Sequence, residues 1–222
     1  MTLVIAARGT NFIILGADSR ETMQDIEGNR VELNQAVKLM QITDHVGFLV
    51  YGDAHISDYL VEKFKEKLST TKKTVREIAE EFAEFCRDEA KKTKDVPRNY
   101  FPAFGFIIAG LDFKNKIPIP QCFRLRSVDG FQLGIFRENP AIAGKQLIAR
   151  HLFLKEFKPD LTVDQLSNLT AKAIYETGRI DGDVGGEIKM ARIDETGFTN
   201  YISDDIQSFT SESSFNPMDE DS

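Results

Sequence analysis

Thr2 has the most chemistry to offer of any residue near the start of this chain. The run Met1-Thr2-Leu3-Val4-Ile5-Ala6 puts a threonine directly behind the methionine and at the head of an apolar stretch. Threonine is small enough for the methionine before it to be trimmed, which would leave Thr2 carrying both a hydroxyl and a free α-amino group. Such an alcohol is a nucleophile with a built-in base, because an α-amine titrates near ~8, close to a neutral working pH. Many chains begin Met-Thr, so the reading depends on what else the sequence can bring beside this residue.

The composition narrows the alternatives. A chain of 222 residues suits one domain with a full hydrophobic core. No stretch is long and apolar enough to span a bilayer, and no basic start leads into a signal core, so a cytoplasmic location is expected, with no membrane partner. Cys86 and Cys122 lack metal-type spacing, and His45, His55 and His151 form no ligand set. No metal and no cofactor are expected. The net charge of −7 resides mostly after residue 203, where Asp204, Asp205, Glu212, Asp219, Glu220 and Asp221 stand without a Lys or Arg. The rest is close to neutral and carries no basic stripe with aromatics, so nucleic acid is not an expected partner. The acidic, Ser-rich residues 206–222 read as a disordered tail behind a domain spanning 1–205.

The elements that must position Thr2 follow from periodicity and turn chemistry. Thr2–Ala7 and Phe12–Gly16 read as a hairpin, Glu21–Asn34 as a polar loop, and Val37–Ile42 with Val46–Tyr51 as a second hairpin. Asp53 or Ser57 caps a helix carrying Ile56, Leu60, Phe64 and Leu68, and Thr74 with Glu77 forms a capping box for the next. Past Asp95–Pro102, where two prolines break the pattern, Ala103–Leu111, Ile117–Arg126 and Phe131–Phe136 read as strands. Gly144–Phe157 and a segment capped by Thr162 read as helices, and Glu187–Ile193 with Phe198–Ile202 as a closing hairpin. Strands in blocks, separated by helix pairs, point to an α+β fold: a four-layer αββα sandwich of two antiparallel sheets between helix pairs.

Several short motifs along this order belong together. Thr2-Leu3-Val4, Gly16-Ala17-Asp18-Ser19-Arg20, Val37-Lys38-Leu39 and the Gly47–Ala54 strand end are followed by Asp129-Gly130, Ala143-Gly144, Asp181 and Gly185-Gly186. With this series the chain resembles the proteasome β-type branch of the N-terminal-nucleophile (Ntn) hydrolases over residues 2–205. The resemblance implies the Ntn hydrolase fold and a threonine-type endopeptidase that hides its sites inside a self-compartmentalising assembly. It also implies unfolded polypeptides as substrates, a homo-oligomeric ring, and an ATPase unfoldase as a further partner.

The residue types suit that chemistry. The Thr2 hydroxyl would attack a peptide carbonyl while its amine takes the proton, directly or through a water. Lys38 would supply a positive charge that stabilises the ionised nucleophile and keeps the amine neutral, and Asp18 would hold Lys38 in place. The Gly52 N–H would donate to the oxyanion, a contact typically worth ~3 kcal/mol of transition-state stabilisation. Asp181 matches the family's second acid. Plainer readings stand beside these: alternation along a strand makes Lys38, between Val37 and Leu39, an outward-facing residue, and Gly182–Gly186 is also an ordinary turn.

The chain departs from the family at two places. A serine usually follows the glycine that opens the third helix, and another precedes the Gly-Gly pair; here those places hold Lys145 and Val184. Lys145 is either out of alignment or a second cation beside the site. Family positions lining the primary substrate pocket map onto Thr22, Met40 and Val50, which suits an apolar residue before the cut bond; Met40 and Val50 read equally well as core. Two other functions compete with the peptidase. One is a catalytically silent structural subunit, favoured by the two replaced serines, and the other an Ntn amidase acting on small amides.

Overall fold

The computed structural model describes residues 2–24, 26–69, 72–92 and 103–211. The chain opens with strands β1 (Leu3–Arg8) and β2 (Ile13–Asp18), a small hairpin of β3 (Glu21–Gln24) and β4 (Arg30–Leu33), and strands β5 (Leu39–Thr43) and β6 (Val46–Tyr51). Helices α1 (Ala54–Lys67) and α2 (Val75–Lys92) precede strands β7 (Gly105–Lys114), β8 (Ile117–Arg126), β9 (Gly134–Ile135) and β10 (Ala141–Gly144). Helices α3 (Gln146–Glu156) and α4 (Val163–Ile180), strands β11 (Ile188–Asp194) and β12 (Gly197–Asn200), and helix α5 (Ser203–Ser211) complete it.

Two antiparallel sheets of five strands form the centre, in the orders β10-β1-β2-β11-β12 and β5-β6-β7-β8-β9. The period of two along β1 explains the layering. Leu3, Ile5 and Ala7 pack outward against α3 and α4 with Leu166, Ala173 and Ile174. Val4 and Ala6 pack inward against the second sheet with Leu49, Ile107 and Ala109. The second sheet's outer face is covered by α1 and α2 through an aromatic cluster centred on Phe82, whose ring lies 4.8 Å from both Phe48 and Phe106. The fold is the expected four-layer αββα sandwich.

Local capping is as the sequence implies. Asp53 rather than Ser57 caps α1, accepting from the Ile56 N–H at 3.0 Å. Thr74 and Glu77 close their box at the start of α2, and Thr162 with Gln165 forms another at α4. Each is worth about 1 kcal/mol.

Four expectations need correction. The polar Glu21–Asn34 segment is not a loop: β3 and β4 pair from Glu21↔Leu33 to Gln24↔Arg30. Its strand character lies in cross-strand bonds and ion pairs rather than apolar alternation, which is why periodicity misses it. Only Gly134–Ile135 of the expected Phe131–Phe136 strand pairs, because Phe131 takes a left-handed φ of 57° and turns its ring into the aromatic core. Ala141–Gly144 is an additional edge strand on β1, too short to carry a periodic signal. Residues 206–211, expected in the disordered tail, are helical, and Ile206 is buried in the core outside the first sheet. Asp95–Pro102 and the tail beyond 211 lie outside the described residues.

Candidate active site

Thr2 is 6% exposed and stands at the head of β1, where two neighbours grip it by backbone. Leu3 pairs with Gly144, and the Lys145 N–H donates to the Thr2 carbonyl oxygen at 2.9 Å. Gly144 permits this approach: it has φ 89°, and a Cβ there would lie 1.7 Å from the Thr2 oxygen. Any side chain at 144 would push the start of β1 away.

Asp18 ends the neighbouring strand and is 1% exposed. One of its oxygens, Oδ1, accepts from the Leu3 N–H at 2.9 Å and from the Lys38 ammonium at 2.9 Å. The other, Oδ2, accepts from the Arg20 and Gly185 N–H groups at 3.3 and 3.2 Å. Because one oxygen serves both Leu3 N and Lys38 Nζ, those two nitrogens are at most twice that separation apart. The ammonium is therefore tied to the residue next to Thr2. Lys38 also donates to the Arg20 carbonyl, and burial pushes its pKa below the usual lysine value of 10.5, against the pull of Asp18.

Lys38 does not face outward. Val37 is 56% exposed and Lys38 only 4%, the reverse of what polarity along a strand implies. Lys38 precedes β5 rather than lying on it, and a carboxylate plus a carbonyl compensate its burial.

Asp181 caps the C-terminus of α4, and its carboxylate meets a different lysine. Lys145 Nζ lies 2.9 Å from Asp181 and 3.2 Å from Asp183, so Lys145 is a second cation at this end of the molecule rather than a misplaced residue. Its hydrogen bonds lower the pKa of both carboxyls, and they raise its own. Asp183 also pairs with Arg30 of β4 at 3.0 Å, linking the loop after α4 to the small hairpin. Val184 is fully buried beside α4, so the other family serine position is apolar here.

Gly52 follows β6 directly with φ 93°, and a Cβ there would sit 2.2 Å from the Ala103 carbonyl oxygen. Backbone rather than a side chain must face whatever comes to this point. Met40 borders a cavity of about 660 Å³ whose wall mixes Leu39 and Ile42 with Asp58, Glu62 and Lys65. Val50 is 1% exposed and packs within the aromatic core, while Thr22 Oγ1 is buried without a partner among the described residues. Asp58 Oδ1 is buried and unpartnered in the same way, and burial with the nearby Glu21 pushes its carboxyl up to about 6.

Sequence reasoning missed Asp183, the Gly185 N–H on Asp18, and Asp58. Asp181-Gly182-Asp183 spells its two acids openly, but only the fold shows that one lysine takes both. Both cysteines are buried, and burial pushes the Cys122 thiol up to about 12. No helix is long and apolar enough to cross a membrane, and no group of His, Cys, Asp and Glu that could hold a metal occurs among the described residues.

Two antiparallel sheets packed between helix pairs are consistent with the Ntn sandwich. The family model described as proteasome subunit matches residues 2–193, and the chain belongs to that family. It is 23% identical over 199 residues to a proteasome subunit beta of Archaeoglobus fulgidus, covering 88% of this chain and 86% of that one. It is 24% identical over 197 residues to a proteasome subunit beta of Methanococcus vannielii, covering 88% and 84%. It is also 28% identical over 196 residues to a proteasome subunit alpha of Methanopyrus kandleri, covering 84% and 71%.

Proposed function

We propose that this chain is a threonine-type endopeptidase, with Thr2 as the nucleophile once Met1 is removed and the Thr2 α-amine as the general base. The observation that carries the reading is the shared Asp18 oxygen, which anchors a buried ammonium beside the first strand residue. A desolvated ammonium near the hydroxyl favours its ionised form and disfavours protonation of the neighbouring amine. Gly52 N–H is the proposed oxyanion donor, supported by a backbone conformation that leaves no room for a side chain. Asp181, whose carboxylate is paired with Lys145, is the proposed second acid. Thr22, Met40 and Val50 remain the proposed substrate-pocket positions, with Asp58 adding a carboxylate to the Met40 cavity wall.

Family membership supports assembly into a ring. A homo-oligomeric, cytoplasmic ring acting on unfolded polypeptides, supplied by an ATPase unfoldase, is the form we propose.

The test joins mass and reactivity. Chain isolated from cells should have lost Met1, and a β-lactone or peptide epoxyketone should form an adduct on Thr2 that is absent in Thr2→Ala and Lys38→Ala. Retained Met1, or demethionylated protein that takes no label, overturns the peptidase. A catalytically silent structural subunit is the second reading. Three observations favour it: the Lys145 bond that occupies Asp181, the buried Val184, and the similarity to an alpha subunit. Unlabelled, demethionylated chain that still enters a ring would establish it.

A further inference from the structure

Lys145 joins the start of β1 to the loop after α4 by two unrelated contacts. Its backbone N–H donates to the Thr2 carbonyl at 2.9 Å, and its ammonium lies 2.9 Å from Asp181 and 3.2 Å from Asp183. We propose that Lys145 is a positioning residue for the amino-terminal nucleophile: it clamps the loop after α4 to the Thr2 backbone and supplies, besides Lys38, a second positive charge that keeps the Thr2 α-amine neutral. The inference rests on the reading of Thr2 as the nucleophile.

The charges around this end of β1 support the assignment. Asp18 from β2 is matched by Lys38, which precedes β5. The loop after α4 contributes Asp181 and Asp183, facing Lys145 from the N-cap of α3. Arg30 of β4 pairs with Asp183 at 3.0 Å and with Glu32 at 2.9 Å, and Arg20 lies 3.4 Å from Glu32. Asp183 thus has two cations, whereas Asp181 is paired only with Lys145 in this network. The hydrogen bond from Lys145 is the largest influence on both carboxyls.

The consequence follows from charge alone. Without the lysine ammonium, the local balance falls by one positive charge and Asp181 has no cation. A nearby amine is then stabilised in its protonated form, its pKa rises, and the base becomes available only at higher pH. A serine at 145 would add a hydroxyl but no charge, so the proposal separates this chain's arrangement from a hydrogen-bonding one. The clamp belongs to the chain's own departure from its family at position 145.

Lys145→Met, Lys145→Ser and Lys145→Arg test it on the full-length, methionine-free protein at low ionic strength. The first measurement is the pH dependence of kcat/KM on a fluorogenic peptide. The second is competitive acetylation of the Thr2 α-amine against pH, read by mass spectrometry, which needs no turnover. K145M and K145S should raise both midpoints by about one pH unit, a tenfold loss of kcat/KM well below the midpoint that closes at high pH. K145R should restore the wild-type midpoint. Identical amine midpoints in wild type and K145M overturn the proposal, as does a loss of kcat that is the same at every pH. A wild type with no Thr2-dependent turnover but a shifted midpoint in K145M removes the peptidase reading and leaves the clamp standing.

Discussion

Lys38 and Lys145 lie on either side of the strand that carries Thr2, and the fold holds them in opposite ways. Lys38 is buried against Asp18, and loss of solvent pushes its pKa down. Lys145 sits nearer the surface, where the hydrogen bonds it donates to Asp181 and Asp183 push its pKa up. Both have carboxylate partners, so the partner does not decide the sign; access to water does. Their alkaline behaviour differs accordingly. The stabilisation from Lys145 is complete below the usual lysine value of 10.5 and is lost as pH rises through its higher folded value. The burial cost of charged Lys38 is present below its lowered folded value and is relieved as pH rises toward 10.5. Relief of that cost removes the charge that the proposed nucleophile would depend on.

The sharpest way to break the buried arm is to remove one partner. Lys38→Ala should abolish peptide hydrolysis, by about a thousandfold or more as for other unit-acting groups, yet leave the chain folded. Asp18 would still receive N–H groups from Leu3, Arg20 and Gly185. Asp18→Ala should be worse for stability, by about 3–5 kcal/mol in denaturant melts, because it strands a buried ammonium. Equal stability of the two variants would show that Asp18 is not the anchor.

Gly144→Ala attacks the junction between the two lysines. Its Cβ would fall 1.7 Å from the Thr2 oxygen, and the residue has φ 89°, so we expect about 1–3 kcal/mol of destabilisation and a large loss of activity. Asp58 shows what a half-buried carboxylate does with no lysine at all. Its carboxyl is raised to about 6, so its charged form opposes folding above that pH. Stability should fall as pH rises from about 4 to 6, and Asp58→Asn should gain about 1 kcal/mol at pH 7, after allowance for solvent screening, and nothing near pH 4. The smallest effect is ionic. Raising salt toward 1 M should erase the Lys145→Met shift in the pH profile while leaving the Lys38→Ala defect intact, because only the open cluster is screened.

Much of this fold was legible beforehand, for reasons that vary from element to element. Thr74 with Glu77 and Thr162 with Gln165 announce their helices because capping is a contact over three residues. The blocks of strands and helix pairs imply the layers, since each apolar face must find another. The β3–β4 hairpin was invisible because β4 is exposed along its whole length and so shows no apolar alternation, and an edge strand as short as Ala141–Gly144 has no period to read. At the site, Thr2, Asp18, Lys38 and Asp181 were named from motif order. The lysine's inward direction went against its own alternation.

Sequence determined which chemistry was available: the Thr2 alcohol, two lysines, three aspartates and the glycines among them. Those are matters of residue type and near-neighbour spacing, which the chain carries whether folded or not. Tertiary structure alone decided that one Asp18 oxygen serves both Leu3 and Lys38, and that Lys145 takes Asp181 and Asp183 together. These partners are separated along the chain by 15 residues in the case of Leu3 and Asp18 and by 20 in that of Lys38 and Asp18. Only the packed fold brings them within reach, and their differing access to water decides which way each lysine's pKa moves.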